Sequence, residues 1–106
     1  MSGLLNKDKE YINKALSQVE KIDSAILFGS RAMGNYKKGS DVDLAVKGEA
    51  LGFYELSILD DLLNEEYPLP YFFDIVDYHS LSNQALKKHI DEYGVMIYQK
   101  EDSCGA

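Results

Sequence analysis

A small single domain of the α/β (α+β) class is predicted by three features of the sequence. Patterns of helical and strand period follow one another as helix, strand, strand, helix, strand, helix, strand. The 106 residues are 45% hydrophobic, which suffices for one core and leaves little for a second. No repeat, low-complexity segment or long linker divides them, so residues 1–100 are expected to form the domain and 101–106, EDSCGA, a polar tail.

Each element has its own signal. From about Asp8 to Ile22, the residues Tyr11, Ile12, Ala15, Leu16, Val19 and Ile22 recur at three- and four-residue intervals, one face of an amphipathic helix. Asp23-Ser24 is expected to break it, and Ala25 to Phe28 is a continuous apolar run that suits a strand buried on both faces. Arg31 to Ser40 holds Gly34, Asn35 and Gly39 and is expected to be mostly loop. Asp41 to Val46 alternates acidic with apolar residues as a second strand, which Lys47-Gly48 ends. Phe53, Leu56, Leu59, Leu62 and Leu63 mark a helix from about Leu51 to Glu65, closed by Pro68 and Pro70. The aromatic and β-branched run Tyr71 to Tyr78, YFFDIVDY, reads as a third strand. Ser80 or Ser82 is expected to cap a last helix through about Glu92, which Gly94 stops before a final strand, Val95 to Tyr98.

Composition excludes several functions. A formal net charge of −7 argues against gripping a nucleic-acid backbone unaided, because phosphate neutralisation needs a basic surface. The only cysteine, Cys104, lies in the polar tail and allows no internal disulfide, which fits a reducing cytosol. No apolar run is long enough to span a bilayer, and MSGLLNKDKE lacks a signal-peptide core. A cytoplasmic protein with no membrane and no direct nucleic-acid contact is expected.

The chemistry concentrates between Ala25 and Lys47. Asp41 and Asp43 stand one residue apart on a strand, so their side chains share a face, and their repulsion calls for a positive partner such as a divalent metal. Gly29-Ser30 can approach and bond a phosphate. Asp74 interrupts an apolar strand between Phe73 and Ile75, and if that strand neighbours the Asp41 strand, it converges on the same point. Asp77, three residues on, faces elsewhere and is expected at the surface or in a cap. Three carboxylates beside a Gly-Ser turn point to two-metal phosphoryl chemistry, in which paired ions roughly 3.5–4 Å apart hold the attacking and leaving oxygens. Asp41, Asp43 and Asp74 are the candidate catalytic residues and ligands of two Mg2+ ions, with Asp74 also helping to deprotonate an acceptor hydroxyl.

The spacing Gly29-Ser30, ten residues, Asp41-Val42-Asp43 resembles the G-S-x10-D-x-D signature of the nucleotidyltransferase superfamily that includes DNA polymerase β. FGSRAMGNYKKGSDVDLAV is similar to the FGSRARG…SDIDLAV of its minimal nucleotidyltransferases, among them MntA-type antitoxins; Asp74 in FFDIVDY falls where they carry a third acid, and HIDEYGVMIY resembles their usual ending. The resemblance covers nearly the whole chain. It implies the nucleotidyltransferase fold, a small mixed β-sheet with helices packed on one side, and transfer of AMP from ATP, with magnesium, to an acceptor hydroxyl. It also implies a HEPN-domain partner, in the best-understood pairs a toxic ribonuclease modified on a tyrosine. Gly29, Ser30, Arg31 and Ser40 become the candidate nucleotide and phosphate ligands. Met33 stands where an arginine is common; Arg31 remains, and Lys37 or Lys38 can substitute. Larger members of the family carry a second domain for the acceptor, so here the acceptor site is expected to come from a partner or another copy, as a hetero-oligomer or homodimer. The alternatives are transfer to a small molecule such as an aminoglycoside, and a non-catalytic subunit that neutralises its partner by binding.

The remaining polar and aromatic residues have plainer expected roles. Lys37 and Lys38 suit a solvated loop, and Tyr67, Tyr71, Phe72, Phe73 and Tyr78 suit core and edge packing. His79 and His89 lack metal-ligand spacing and are expected on the surface, and Cys104 is expected to be inert.

Overall fold

The computed structural model describes residues 6–29, 41–49, 51–67, 69 and 71–100. Helix α1 spans Asn6–Ser17, strand β1 Ile22–Phe28, β2 Val42–Gly48, helix α2 Phe53–Asp61, β3 Phe73–Asp77, α3 Gln84–Tyr93 and β4 Val95–Gln99. The order of elements is the one the periodicities imply. The strands pair as β3–β2–β1–β4, antiparallel at β2–β1 and β1–β4 and parallel at β2–β3, so the sheet is mixed. No helix among the described residues is long and apolar enough to cross a membrane.

Strand alternation sorts the core into two clusters. Ala25 and Leu27 of β1, Val42, Leu44 and Val46 of β2 and Phe73 of β3 face one side, where Ile12, Ala15 and Leu16 of α1 and Leu59 and Leu63 at α2 cover them. Ile26, Phe28 and Ala45 face the other side and pack with Ile90 of α3. The helices therefore do not all lie on one side, as the resemblance implied: α3 covers the second face. The apolar run of β1 is the reason, since a strand with both faces buried needs a layer on each. Tyr78 helps to hold α3 down, its hydroxyl donating to Asp91 at 2.7 Å and its ring lying 4.4 Å from Lys47 Nζ and 5.3 Å from Lys87 Nζ.

Local boundaries differ from the sequence expectation where backbone pairing overrides side-chain character. Helix α1 ends at Ser17, and Asp23-Ser24 lies inside β1, which begins at Ile22 and pairs with Gly48 and Lys47 through an irregular register. Asn83, rather than Ser80 or Ser82, caps α3 by accepting from Leu86 N–H. Helix α2 continues as a π-helical turn, Leu62–Glu66. From that turn Asn64 reaches the edge strand, accepting from Phe73 N–H at 2.8 Å and donating to its carbonyl at 3.1 Å. Asp77 caps the 3-10 turn Tyr78–Ser80, accepting from His79 N–H and Ser80 Oγ, the capping role its position suggests.

Candidate active site

Asp43 and Asp74 arrive at one end of the sheet by register. Asp43 lies opposite Phe28 at the end of β1 and opposite Asp74 on β3, so the parallel β2–β3 pair sets two carboxylates side by side. Both share the α3 face, because Val42, Leu44, Phe73 and Ile75 turn to the other. Asp41 precedes β2 and is exposed; Asp43 is half-buried and Asp74 exposed. The juxtaposition foreseen for Asp74 thus holds through strand adjacency.

Burial, then the Asp74 carboxylate, then that of Asp41 push the Asp43 pKa above the ordinary aspartate value, with His89 pulling the other way. Asp43 is therefore an acid that a cation would relieve. Among the described residues no group of three or more carboxylate, imidazole or thiolate side chains forms a ready metal cage. Asp43 and Asp74 are nevertheless hard oxygen donors on adjacent positions, which suits an ion such as Mg2+ that takes few carboxylates and fills its shell with water and substrate phosphates.

Gly29 closes β1 against this pair. Its φ is +80°, a left-handed conformation that side chains resist, and a Cβ there would overlap the Asp43 carboxylate. Both the turn and the close approach thus require glycine. Gly29 N–H donates to His89 Nε2 at 3.2 Å, and the His89 ring lies edge-on to Phe28 with centroids 6.3 Å apart.

His89 was expected on the surface; it is half-buried and links α3 to the end of β1. The available signal was its spacing: Leu86, His89 and Ile90 fall at i, i+3 and i+4, one face of the helix. Ser30, Arg31 and Ser40, with Met33, Lys37 and Lys38, lie outside the described residues.

The family model described as "Polymerase beta, Nucleotidyltransferase" matches residues 10–103. No match is found among curated proteins. Among solved structures, a chain of a toxin–antitoxin complex with AMP-PNP is 26% identical with a TM-score of 0.73, the alignment covering 93% of this chain and 77% of that one. A mutant of the MntA-HpeT toxin–antitoxin pair is also 26% identical, with a TM-score of 0.66 and coverage of 93% and 76%. The complex of a tri-AMPylated Shewanella oneidensis HEPN toxin with its MNT antitoxin shares the fold, at 21% identity, a TM-score of 0.68 and coverage of 99% and 78%.

Proposed function

The chain belongs to the polymerase β nucleotidyltransferase family, and from that premise we propose that it transfers AMP from ATP to a hydroxyl of a partner protein, a tyrosine of a HEPN-domain toxin. The observation that carries the reading is the Asp43–Asp74 pair, set side by side by the β2–β3 register against the Gly29 turn. The toxin–antitoxin complexes among its structural relatives support the choice of donor and partner.

The acceptor oxygen attacks the α-phosphorus of ATP as the bond from that phosphorus to the bridging oxygen breaks, and pyrophosphate leaves with the bonding electrons. The hydroxyl proton passes to the Asp74 carboxylate. Its exposure lets an incoming acceptor reach it, whereas the half-buried Asp43 is suited to holding charge in place. Asp41, Asp43 and Asp74 would hold magnesium, which when bound supplies positive charge to the triphosphate and to the developing oxyanions. Gly29 allows the backbone to come close to the phosphates, and Ser30, Arg31 and Ser40 are assigned to them.

The test is the intact mass of a HEPN-domain protein encoded beside the chain, after incubation with this protein, ATP and magnesium. A gain of one or more AMP units with wild type and none with Asp43→Asn is expected. A stable complex with no gain in mass would overturn transfer and favour neutralisation by binding.

A further inference from the structure

The sheet's hold on β1 runs out where the site begins. Leu27 pairs on both sides, with Leu44 of β2 and Val95 of β4, and the β4 ladder goes no further. Phe28 still pairs with Asp43 of β2, and Gly29 lies past the end of the strand, where the chain turns at a φ of +80°. Gly29 is half-buried there, and a backbone donor withdrawn from water needs a partner. Its partner is a side chain from another layer of the fold, His89 Nε2 on α3, at 3.2 Å.

The imidazole is fixed by its surroundings. Phe28 lies edge-on to it, and Tyr93, one turn further along α3, packs with its centroid 5.5 Å away. The helix that carries it is fixed in turn. Ile90 packs with Ile26, Phe28 and Ala45 of the sheet, and Asp91 accepts from the Tyr78 hydroxyl. Gly94, which joins α3 to β4, passes so close to Ile26 that a Cβ there would overlap its side chain. On its far side Gly29 has no slack either, since its own Cβ would meet the Asp43 carboxylate. A planar peptide held at its N–H has the preceding carbonyl, that of Phe28, fixed as well. Helix α3, the turn and Asp43 therefore stand in series, with His89 as the link between the first two.

We propose that His89 is a positioning residue of the nucleotide site: by accepting from the Gly29 amide it holds the turn, and with it the Asp43 carboxylate, in the arrangement that receives the triphosphate of ATP. This role rests on the reading of the chain as a nucleotidyltransferase and adds a residue outside the aspartates and the Gly-Ser turn. Glycine is the residue most in need of such a hold, because its backbone is the most permissive. A turn ordered in advance spares the nucleotide the cost of ordering it. ATP is bound in the ground and transition states alike, so loss of the hold should appear in KM for ATP and leave kcat nearly unchanged.

The test compares His89→Leu, which packs but accepts nothing, with His89→Gln, whose amide oxygen can accept in place of Nε2. Hydrogen exchange at the Gly29 amide, read by NMR on the full chain, should be about tenfold faster in His89→Leu than in wild type and restored in His89→Gln. Binding of ATP with magnesium, read by calorimetry, should weaken about fivefold to tenfold in His89→Leu, the scale of one hydrogen bond, and stay within about twofold of wild type in His89→Gln. Ile90→Val, the buried neighbour on α3, should lower the thermal midpoint and leave ATP binding unchanged. A wild-type Gly29 amide that exchanges like that of an unstructured glycine, equal ATP binding by His89→Leu and wild type, or equal weakening in His89→Leu and His89→Gln would each overturn the role of His89. ATP binding that follows the expected pattern without AMP transfer to the HEPN protein would remove the transfer reading and leave that role standing. AMP transfer with an unchanged KM for ATP in His89→Leu would do the reverse.

Discussion

The two faces of the sheet bury different things. Under α1 and α2 lies a continuous apolar layer that includes Leu16, Leu27, Leu44, Leu59, Leu63 and Phe73, all almost fully buried. Under α3 the buried apolar set shrinks to Ile26, Phe28, Ala45 and Ile90, and the same face carries Asp43, Asp74 and His89 at its end. One face supplies cohesion, and the other tolerates crowded carboxylates because the first holds the strands in register. Adjacent residues of β2 therefore have separable roles: Leu44 belongs to the core, and Asp43 belongs to the site.

The sharpest way to break that separation is to alter those two neighbours. Asp43→Asn should lower AMP transfer by about a thousandfold or more, the scale of removing several kcal/mol of charge stabilisation, while circular dichroism shows an unchanged fold. Leu44→Ala should do the opposite. It should cost about 2–5 kcal/mol of stability, by lost burial and a cavity, and reduce transfer only in proportion to the unfolded fraction seen in a urea titration. A folded Leu44→Ala protein with no transfer would show that the faces are coupled.

Gly29→Ala lies between these extremes. The left-handed conformation costs a Cβ-bearing residue about 1–2 kcal/mol, and the added methyl presses on the Asp43 carboxylate. Both a lower thermal midpoint and reduced transfer are expected, since this one position joins the strand end to the site.

The smallest effect is electrostatic. The Asp43 pKa is raised by burial, Asp74 and Asp41, so the native state binds this proton more tightly than the unfolded chain does. The resulting stability is complete below the ordinary value of 3.8 and is lost as pH rises through the higher native value. Asp43→Asn stays neutral and escapes that loss. Measured with a chelator present, it should melt above wild type at pH 7, by less than about 1 kcal/mol because the group is half-exposed and screened. The gap should close below about pH 4. A variant that melts lower than wild type at pH 7 would mean that the carboxylate makes a stabilising contact in the native state.

Much of this architecture was legible in the residues. Among the described residues, the four strands and three helices stand in the order that apolar runs, strand alternation and helical periodicity predict, and Asp74 is conspicuous as a charge inside an apolar strand. Boundaries were less legible, because backbone pairing decides them: Asp23 and Ser24 look like a break but sit inside β1, where Ile22 and Ser24 pair with β2 on either side of an irregularity at Asp23. His89 was misplaced although its helical spacing with Leu86 and Ile90 pointed inward, since a lone histidine names no partner until α3 meets the end of β1.

The sequence by itself determined the element order, the family signature and the acidic character of the site, all of which are local in the chain. Only the tertiary structure decided that β2 and β3 run parallel with Asp43 beside Asp74, and that α3 lies across the second face. Local periodicity reports which way a side chain points relative to its own backbone. It carries no information about which other strand or helix, tens of residues away, supplies the neighbour.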